Sequence, residues 1–315
     1  MLLKMSDLIR VKTYGEPPFC EKEILRYAGC KSADKALLQH LQSETDLQMK
    51  TLMQKCIDEV RGRLTYKVCY RDLPLLIQGD VYSGELQSTI SEKEEGQEKF
   101  SDFTKPVCDF QYIQVSSRDL AKNLQACDKV ILFAATIGVE IDRLIGKYSR
   151  ISPAKALMMQ AIGAERIESL CDVFCEDMEN ACIEHDSVLK EGVSRQSQGA
   201  HCLRPRFSPG YGDLPLEVQK DIFKILDCPK QIGLSLNDSL LMSPSKSVTA
   251  FVGIPNTGIS YHVDASKKAV SRQKDRNGDT ILADCQGNNQ HNRIHYTNST
   301  NCTTCTKTDC AFREV

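Results

Sequence analysis

Apolar residues along the chain are grouped in patterns that predict one long helix and several buried strands. Between residues 154 and 185, apolar side chains recur at three- and four-residue steps, which predicts an amphipathic helix. A continuous apolar run at 129–138 predicts a buried strand, and the β-branched segment 247–254 predicts a second strand that ends at Pro255. A strand followed by a helix through small residues is expected at Gly138, and this junction is either a plain connection or a site for a carboxylate or hydroxyl group.

The two ends of the chain have weaker patterns. Helical spacing dominates residues 5–62, and short strands are expected at 64–69 and 74–78, with a break at Arg71-Asp72. Residues 265–301 are polar and rich in Asn, Gln, Lys and Asp, which is typical of a weakly ordered linker with a tight turn at Asn277-Gly278.

Charge and composition exclude several classes of function. The 40 basic and 42 acidic residues nearly cancel, so nothing favours binding to nucleic acid or to an anionic membrane. No segment approaches the ~20 consecutive apolar residues of a membrane span, and the first residues do not resemble a signal peptide. Fifteen cysteines without an export signal indicate free or metal-bound thiols in a reducing compartment. We therefore expect a cytoplasmic protein.

Candidate chemistry is concentrated in Arg206-Phe207-Ser208-Pro209-Gly210-Tyr211. Pro209-Gly210 predicts a sharp turn, which leaves backbone N–H and C=O groups available to a ligand. The guanidinium of Arg206 suits a carboxylate, and the ring of Tyr211 suits a cation or a purine. S-adenosylmethionine carries all three groups, although a packed loop is the alternative. After the turn, Asp213 is expected to cap the next helix and Pro215 to occupy its first turn.

The turn and the sequence after it resemble the activation domain of cobalamin-dependent methionine synthase. That family has an Arg-x-x-Pro-Gly-Tyr turn, a helix, and then a Leu-x-x-Ser…Met-x-Pro…Ser-Val segment. The resemblance extends over roughly residues 22–265. The matching residues here are Arg206, Pro209, Gly210, Tyr211, Leu236, Ser239, Met242, Pro244, Ser247 and Val248.

The resemblance implies both a function and a set of ligand contacts. It implies S-adenosylmethionine binding for the reductive methylation of cob(II)alamin, with an electron from a flavodoxin- or ferredoxin-like donor. Arg206 would pair with the ligand carboxylate, Ser208 would give backbone contacts, Pro209 and Gly210 would shape the turn, and Tyr211 would pack on the ligand. The family's acidic residue for the ligand amino group has no evident counterpart, and Gly212-Asp213-Leu214 departs from the family pattern.

Partners and architecture follow from the same resemblance. The cobalamin-binding Asp-x-His-x-x-Gly loop does not occur in the sequence, so a separate corrinoid-binding methionine synthase is the expected partner in trans. The expected fold class is α+β, a twisted, mainly antiparallel sheet with flanking helices on one side and a helical N-terminal region. Three parts are expected: residues 1–104 as that region with short strands, 105–265 as the activation-domain core, and 266–315 as a polar linker and Cys-rich tail.

The cysteines suggest an alternative function. Cys302 and Cys305 form a Cys-x-x-Cys pair, Cys310 follows, and Cys285, His291 or His295 would supply a fourth ligand for zinc or an iron–sulfur cluster. A metal-binding redox accessory protein is thus the alternative, and an interaction module that binds only the corrinoid protein is a third. Cys171, Cys175 and Cys182 lie on one side of the long helix, where packing as small apolar residues is favoured over metal binding.

Overall fold

A computed structural model describes residues 8–30, 44–79, 105–189 and 203–256, together with three short strands between 271 and 290. In chain order the elements are β1 (Arg10–Tyr14), α1 (Glu21–Tyr27), α2 (Glu44–Val60), β2 (Tyr66–Pro74), β3 (Leu76–Gln78), β4 (Val107–Asp109), β5 (Gln114–Ser116), α3 (Arg118–Asn123), β6 (Cys127–Thr136), α4 (Glu140–Ile151), α5 (Pro153–Leu189), α6 (Val218–Leu226), α7 (Cys228–Ile232), β7 (Ser235–Leu236), β8 (Met242–Ser243), β9 (Ser247–Pro255), β10 (Ser271–Lys274), β11 (Thr280–Ala283) and β12 (Asn289–Gln290).

The centre of the fold is a four-stranded antiparallel sheet with the strand order β1-β2-β6-β9. The predicted strands at 129–138 and 247–254 form β6 and β9, which pair along their whole length with Leu132 opposite Phe251. On its other side β6 pairs with β2, where Phe133 lies opposite Tyr70. Seven consecutive residues of β6 are buried, because both faces of the sheet are covered. The α+β class and the antiparallel sheet are therefore confirmed.

Helices cover both faces of this sheet, whereas helices on one side were expected. The first core lies between the sheet and α1, α2, α4 and α5, and includes Phe133, Phe174 and Val252. The second core lies on the opposite face, under α3, α6 and α7, and includes Leu132 and Phe251. Successive residues of a strand point to opposite faces, so β6 and β9 contribute to both cores.

The N-terminal part of the chain differs from its predicted helices. Residues 10–14 form β1, the edge strand next to β2, and not a helix. β2 also continues through Arg71-Asp72, where a break was expected, because Asp72 pairs with Ile131 in register and forms an ion pair with Arg10. Among the strands of residues 1–104, β1 and β2 thus belong to the same sheet as β6 and β9 of 105–265, and β3 pairs with β4.

The long helix α5 and the C-terminal strands are the next elements. α5 has 37 residues, in agreement with the periodic apolar stripe. Within the expected linker, β10, β11 and β12 form a small antiparallel sheet, and Asn277-Gly278 lies outside the described residues. Among the helices that the structure describes, none is both apolar enough and long enough to cross a membrane.

Candidate functional site

The segment that carries Arg206 is attached to the outer edge of β9. The backbone N–H of Phe207 donates to the carbonyl of Phe251, and the N–H of Phe251 donates back to the carbonyl of Phe207. Two residues away on β9, the carbonyl of Gly253 accepts the N–H of Arg204 at 2.8 Å. Phe207 packs into the second core, so the segment behaves as a short extra strand at the sheet edge.

The predicted turn is present and is closed by its own hydrogen bonds. The N–H of Tyr211 donates to the carbonyl of Ser208 at 3.2 Å, with Pro209 and then Gly210 at the corner. Gly210 has φ +91°, which matches a type II turn and favours glycine. The expectation that such backbone groups stay available to a ligand is wrong for two of them, because the N–H groups of Gly210 and Tyr211 are both used inside the loop.

Arg206 points to the face of the sheet opposite to Phe207, and there it reaches α5. Its Nη1 donates to Oδ1 of Asp172 and its Nη2 donates to Oε2 of Glu168, each at 2.8 Å. The side chain of Arg206 is 5% exposed, while those of Asp172 and Glu168 are 15% and 33% exposed. The guanidinium therefore does bind carboxylates, as its chemistry suggested, but in this structure they belong to α5.

The electrostatics of this group are those of a buried cation between two acids. Burial by itself would lower the pKa of Arg206, but the neighbouring thiol and carboxyl groups raise it well above its ordinary value. Burial raises the pKa of Glu168, and the charge of Arg206 opposes that increase. With all three groups ionised, two negative charges accompany one positive charge. In that state the group would carry one net negative charge at the edge of the sheet.

Two cysteines of α5 lie beside the same group. Burial raises the pKa of Cys175 to about 11 and raises that of Cys171 well above its ordinary value, so both thiols are protonated at neutral pH. No cluster of His, Cys, Asp and Glu suited to a metal ion exists within the parts of the chain that the structure describes. Packing, which the sequence favoured for these cysteines, agrees with their burial.

Glu168 and Asp172 are site residues that the sequence analysis missed. They are four residues apart, so they lie on one side of α5, beside its apolar stripe. A search for apolar spacing alone does not identify these two acids. The available signal was a pair of acids at helical spacing beside the apolar stripe of this helix. In the structure the nearby Arg26 and Tyr27 of α1 also interact with Glu168.

The residues after the turn are held by a different part of the fold. Tyr211 is partly buried against the second core, on the side of the sheet opposite to α5. Asp213 was expected to cap the helix that follows it, and this prediction is wrong, because that helix begins later, at Val218, without a side-chain cap. The carboxylate of Asp213 instead caps α3, where it accepts the N–H groups of Arg118 and Asp119 at 2.9 and 3.1 Å.

The other predicted sites have different outcomes. At the β6–α4 junction the N–H of Gly138 donates to Oγ1 of Thr136, and a Cβ on Gly138 would lie 2.3 Å from Oγ1 of Thr65, as in a tightly packed plain connection. The proposed ligands of a zinc ion or iron–sulfur cluster lie outside the described residues, so the metal site stays a prediction from the sequence. They are Cys285, Cys302, Cys305 and Cys310.

Comparison with known proteins places these observations in a family. Residues 91–272, more than half of the chain, match the family described as vitamin B12 dependent methionine synthase, activation domain. A crystal structure of the MetH reactivation domain bound to AdoHcy is similar, with 15% sequence identity and a TM-score of 0.46 over 83% of this chain and 85% of that chain. No curated protein sequence matches the chain significantly.

Proposed function

Because the chain belongs to the family of vitamin B12-dependent methionine synthase activation domains, we propose that it binds S-adenosylmethionine and supports the reductive methylation of cob(II)alamin held by a separate corrinoid protein. The observation that carries the proposal is the position of the Arg206–Tyr211 turn. It lies inside the family segment, on the edge of the central sheet, with Arg206 at one end and Tyr211 at the other.

The charge of the Arg206 group supports a cationic amino-acid ligand. S-adenosylmethionine carries a carboxylate, an ammonium and a sulfonium, and so has one net positive charge. The group formed by Arg206, Glu168 and Asp172 has one net negative charge when ionised, as described above. The ligand carboxylate would share the guanidinium with these acids, whose charges would attract the ammonium or the sulfonium. Glu168, the most exposed of the three side chains, is the best candidate for that contact.

The other end of the turn supports a contact with the nucleoside. Tyr211 lies partly buried on the second-core side, and Gly210 exposes backbone at the corner of the turn. A ligand held by both ends would cross the sheet edge outside Phe207, with its amino-acid part towards α5 and its adenosine towards Tyr211. Ser208 and Pro209 lie between these two contacts and set the distance between them.

The protein's part in this reaction would be positioning. When bound, S-adenosylmethionine supplies the methyl group, and the electron comes from a flavodoxin- or ferredoxin-like donor. Arg206 and its acids would orient the amino-acid part, and the rigid turn would fix the methyl group against the partner's corrin. No proton transfer is required of the chain, which agrees with the protonated state of Cys171 and Cys175.

Calorimetric titration tests the proposal directly. S-adenosylmethionine is titrated into the wild-type protein and into Glu168→Gln, and S-adenosylhomocysteine, which lacks the sulfonium charge, is titrated in parallel. We expect Glu168→Gln to weaken binding of S-adenosylmethionine by about tenfold, or ~1.4 kcal/mol, and to affect S-adenosylhomocysteine less. Glu176→Gln is the matched control, because Glu176 is an exposed acid on the same helix.

A second experiment tests the action in trans. A corrinoid-binding methionine synthase is prepared in the cob(II)alamin state and mixed with the chain, S-adenosylmethionine and a one-electron donor. The disappearance of the cob(II)alamin absorption is then followed. No ligand binding by the wild type, with or without the corrinoid protein, would refute the proposal, and an unchanged absorption despite ligand binding would refute the action in trans.

A further inference from the structure

We propose that Asp213 is a positioning residue. It attaches the Arg206–Tyr211 turn, called the ligand turn below, to the N-terminus of α3, and so keeps the turn in the conformation that binds the ligand. This inference rests on the proposed function, because it concerns the same turn. It goes further in assigning a role to the residues at which this chain departs from the family pattern, Gly212-Asp213-Leu214.

Asp213 and Asp119 bind each other's backbone, and we call this arrangement the Asp213–Asp119 clamp. The carboxylate of Asp213 accepts three hydrogen bonds, from the N–H groups of Arg118 and Asp119 and from the hydroxyl of Ser117. In return, Oδ2 of Asp119 accepts the N–H of Asp213 at 3.2 Å. The hydroxyl of Ser117 also accepts the N–H of Leu120, so α3 is capped by one network that includes the loop.

The clamp is packed so closely that glycine is favoured at the residue between the turn and Asp213. Gly212 has φ +52°, and a Cβ built on it would lie 2.3 Å from Oδ2 of Asp119. Two backbone hydrogen bonds connect the residues before and after Gly212. The carbonyl of Tyr211 accepts the N–H of Leu214 at 3.0 Å, and the carbonyl of Leu214 accepts the N–H of Gly210 at 2.9 Å. A shift of Asp213 would therefore move the adjacent Leu214, and with it the two hydrogen bonds that Leu214 forms with Gly210 and Tyr211.

The turn consequently has two independent anchors. Before it, Phe207 is paired with β9 and Arg206 is held by α5. After it, the clamp attaches the loop to α3, and α3 is itself fixed in the second core through Leu120 and Ala121. With both anchors in place, ligand binding does not have to order the loop, which increases affinity by removing an entropic cost.

The test uses two conservative substitutions that the clamp distinguishes. Asp213→Asn replaces one acceptor oxygen by an NH₂ donor, which then faces the donors of α3. Asp119→Asn keeps an amide oxygen that accepts the N–H of Asp213. We expect Asp213→Asn to weaken S-adenosylmethionine binding at least tenfold and Asp119→Asn to weaken it less than threefold. Asp109→Asn is a further control, because the carboxylate of Asp109 accepts its hydrogen bonds from Gln111 and Gln114 within the β4–β5 hairpin.

Hydrogen exchange of the ligand-free full-length protein gives the second readout. In Asp213→Asn the amides of Gly210, Tyr211 and Leu214 should exchange faster, while the amides of β6 and β9 stay protected. Uniformly faster exchange, or unchanged exchange together with unchanged affinity, would overturn the inference. If the wild type binds no S-adenosylmethionine, both the proposed function and the ligand role of the clamp are refuted. Hydrogen exchange of the turn amides still shows whether Asp213 holds the turn.

Discussion

Removal of Arg206 should destabilise the folded protein even without any ligand. In Arg206→Met the side chain volume is kept, but the carboxylates of Glu168 and Asp172 lose the cation that lies between them. Removing one partner of a buried ion pair typically costs about 3–5 kcal/mol. Because Glu168 is 33% exposed and water compensates part of its charge, we expect the lower end of that range, about 3 kcal/mol.

Urea unfolding measures this loss. With an m-value of about 3 kcal/mol/M for a chain of this size, the midpoint should fall by about 1 M. Arg206→Lys should fall between wild type and Arg206→Met, because one ammonium cannot replace the planar fork that reaches both acids. Adding Glu168→Gln and Asp172→Asn to Arg206→Met should restore much of the loss, since no unpaired charge then remains.

The result that would refute this reasoning is a midpoint for Arg206→Met within about 0.2 M of wild type, which corresponds to less than ~0.6 kcal/mol at the same m-value. The measurement also decides how binding experiments are read. A variant that loses ligand affinity and stability together does not show that Arg206 contacts the ligand, so Arg206→Lys is the better probe of that contact.

Three further predictions concern the turn, the clamp and the N-terminal segment. Burial would raise the pKa of Asp213, but its hydrogen bonds and the charge of Lys105 lower that pKa below the ordinary value. The ionised carboxylate of Asp213 therefore stabilises the fold fully above the unfolded-state pKa of about 3.9, and this stabilisation is lost as the pH falls through the folded-state pKa. The difference in thermal midpoint between wild type and Asp213→Asn should therefore shrink as the pH is lowered from about 6 to about 3. Gly212→Ala and Gly210→Ala both place an alanine at positive φ, but only the former creates a close contact, so Gly212→Ala should be the less stable variant in urea by at least ~1 kcal/mol. Arg166→Met should cost about 3 kcal/mol or more, because Arg166 is fully buried, forms a buried ion pair with Glu165 and donates to the carbonyl of Pro18 before α1. Faster hydrogen exchange of the backbone amides in that segment would check this prediction.

The elements that the sequence predicted well are those whose buried residues follow a regular pattern along the chain. β6 and β9 are covered on both faces, so the sequence of β6 includes a continuous apolar run and that of β9 is rich in β-branched and apolar residues, while α5 presents a regular apolar stripe. β1 was missed because its inward side chains include Arg10 and Lys12, which stack on the ring of Tyr70 and do not form an apolar pattern. Helices on both faces of the sheet depend on which elements pack together, and a local pattern does not contain that information.

The candidate site was predictable only in part, for a similar reason. The turn is local, because Pro209 and Gly210 specify its geometry within four residues. The partners of Arg206 lie 34 and 38 residues earlier in the chain, and those of Asp213 lie about 95 residues earlier. Asp213 also shows how a local rule is overridden, because a good capping residue near one helix was used to cap another.

The pairing of Phe207 with Phe251 has a consequence for how the chain folds. The Arg206–Tyr211 turn is attached to the edge of β9 through Phe207, and β9 is paired with β6, which precedes it by more than 100 residues. Contacts between such distant segments form slowly, because a long loop has to close first. The turn therefore cannot pair with β9 until β9, the last strand of the central sheet, has paired with β6. It should be among the last parts of the chain to fold during synthesis. A ligand that recognises the turn would then bind only completely folded molecules, and would protect newly made chains from unfolding and proteolysis.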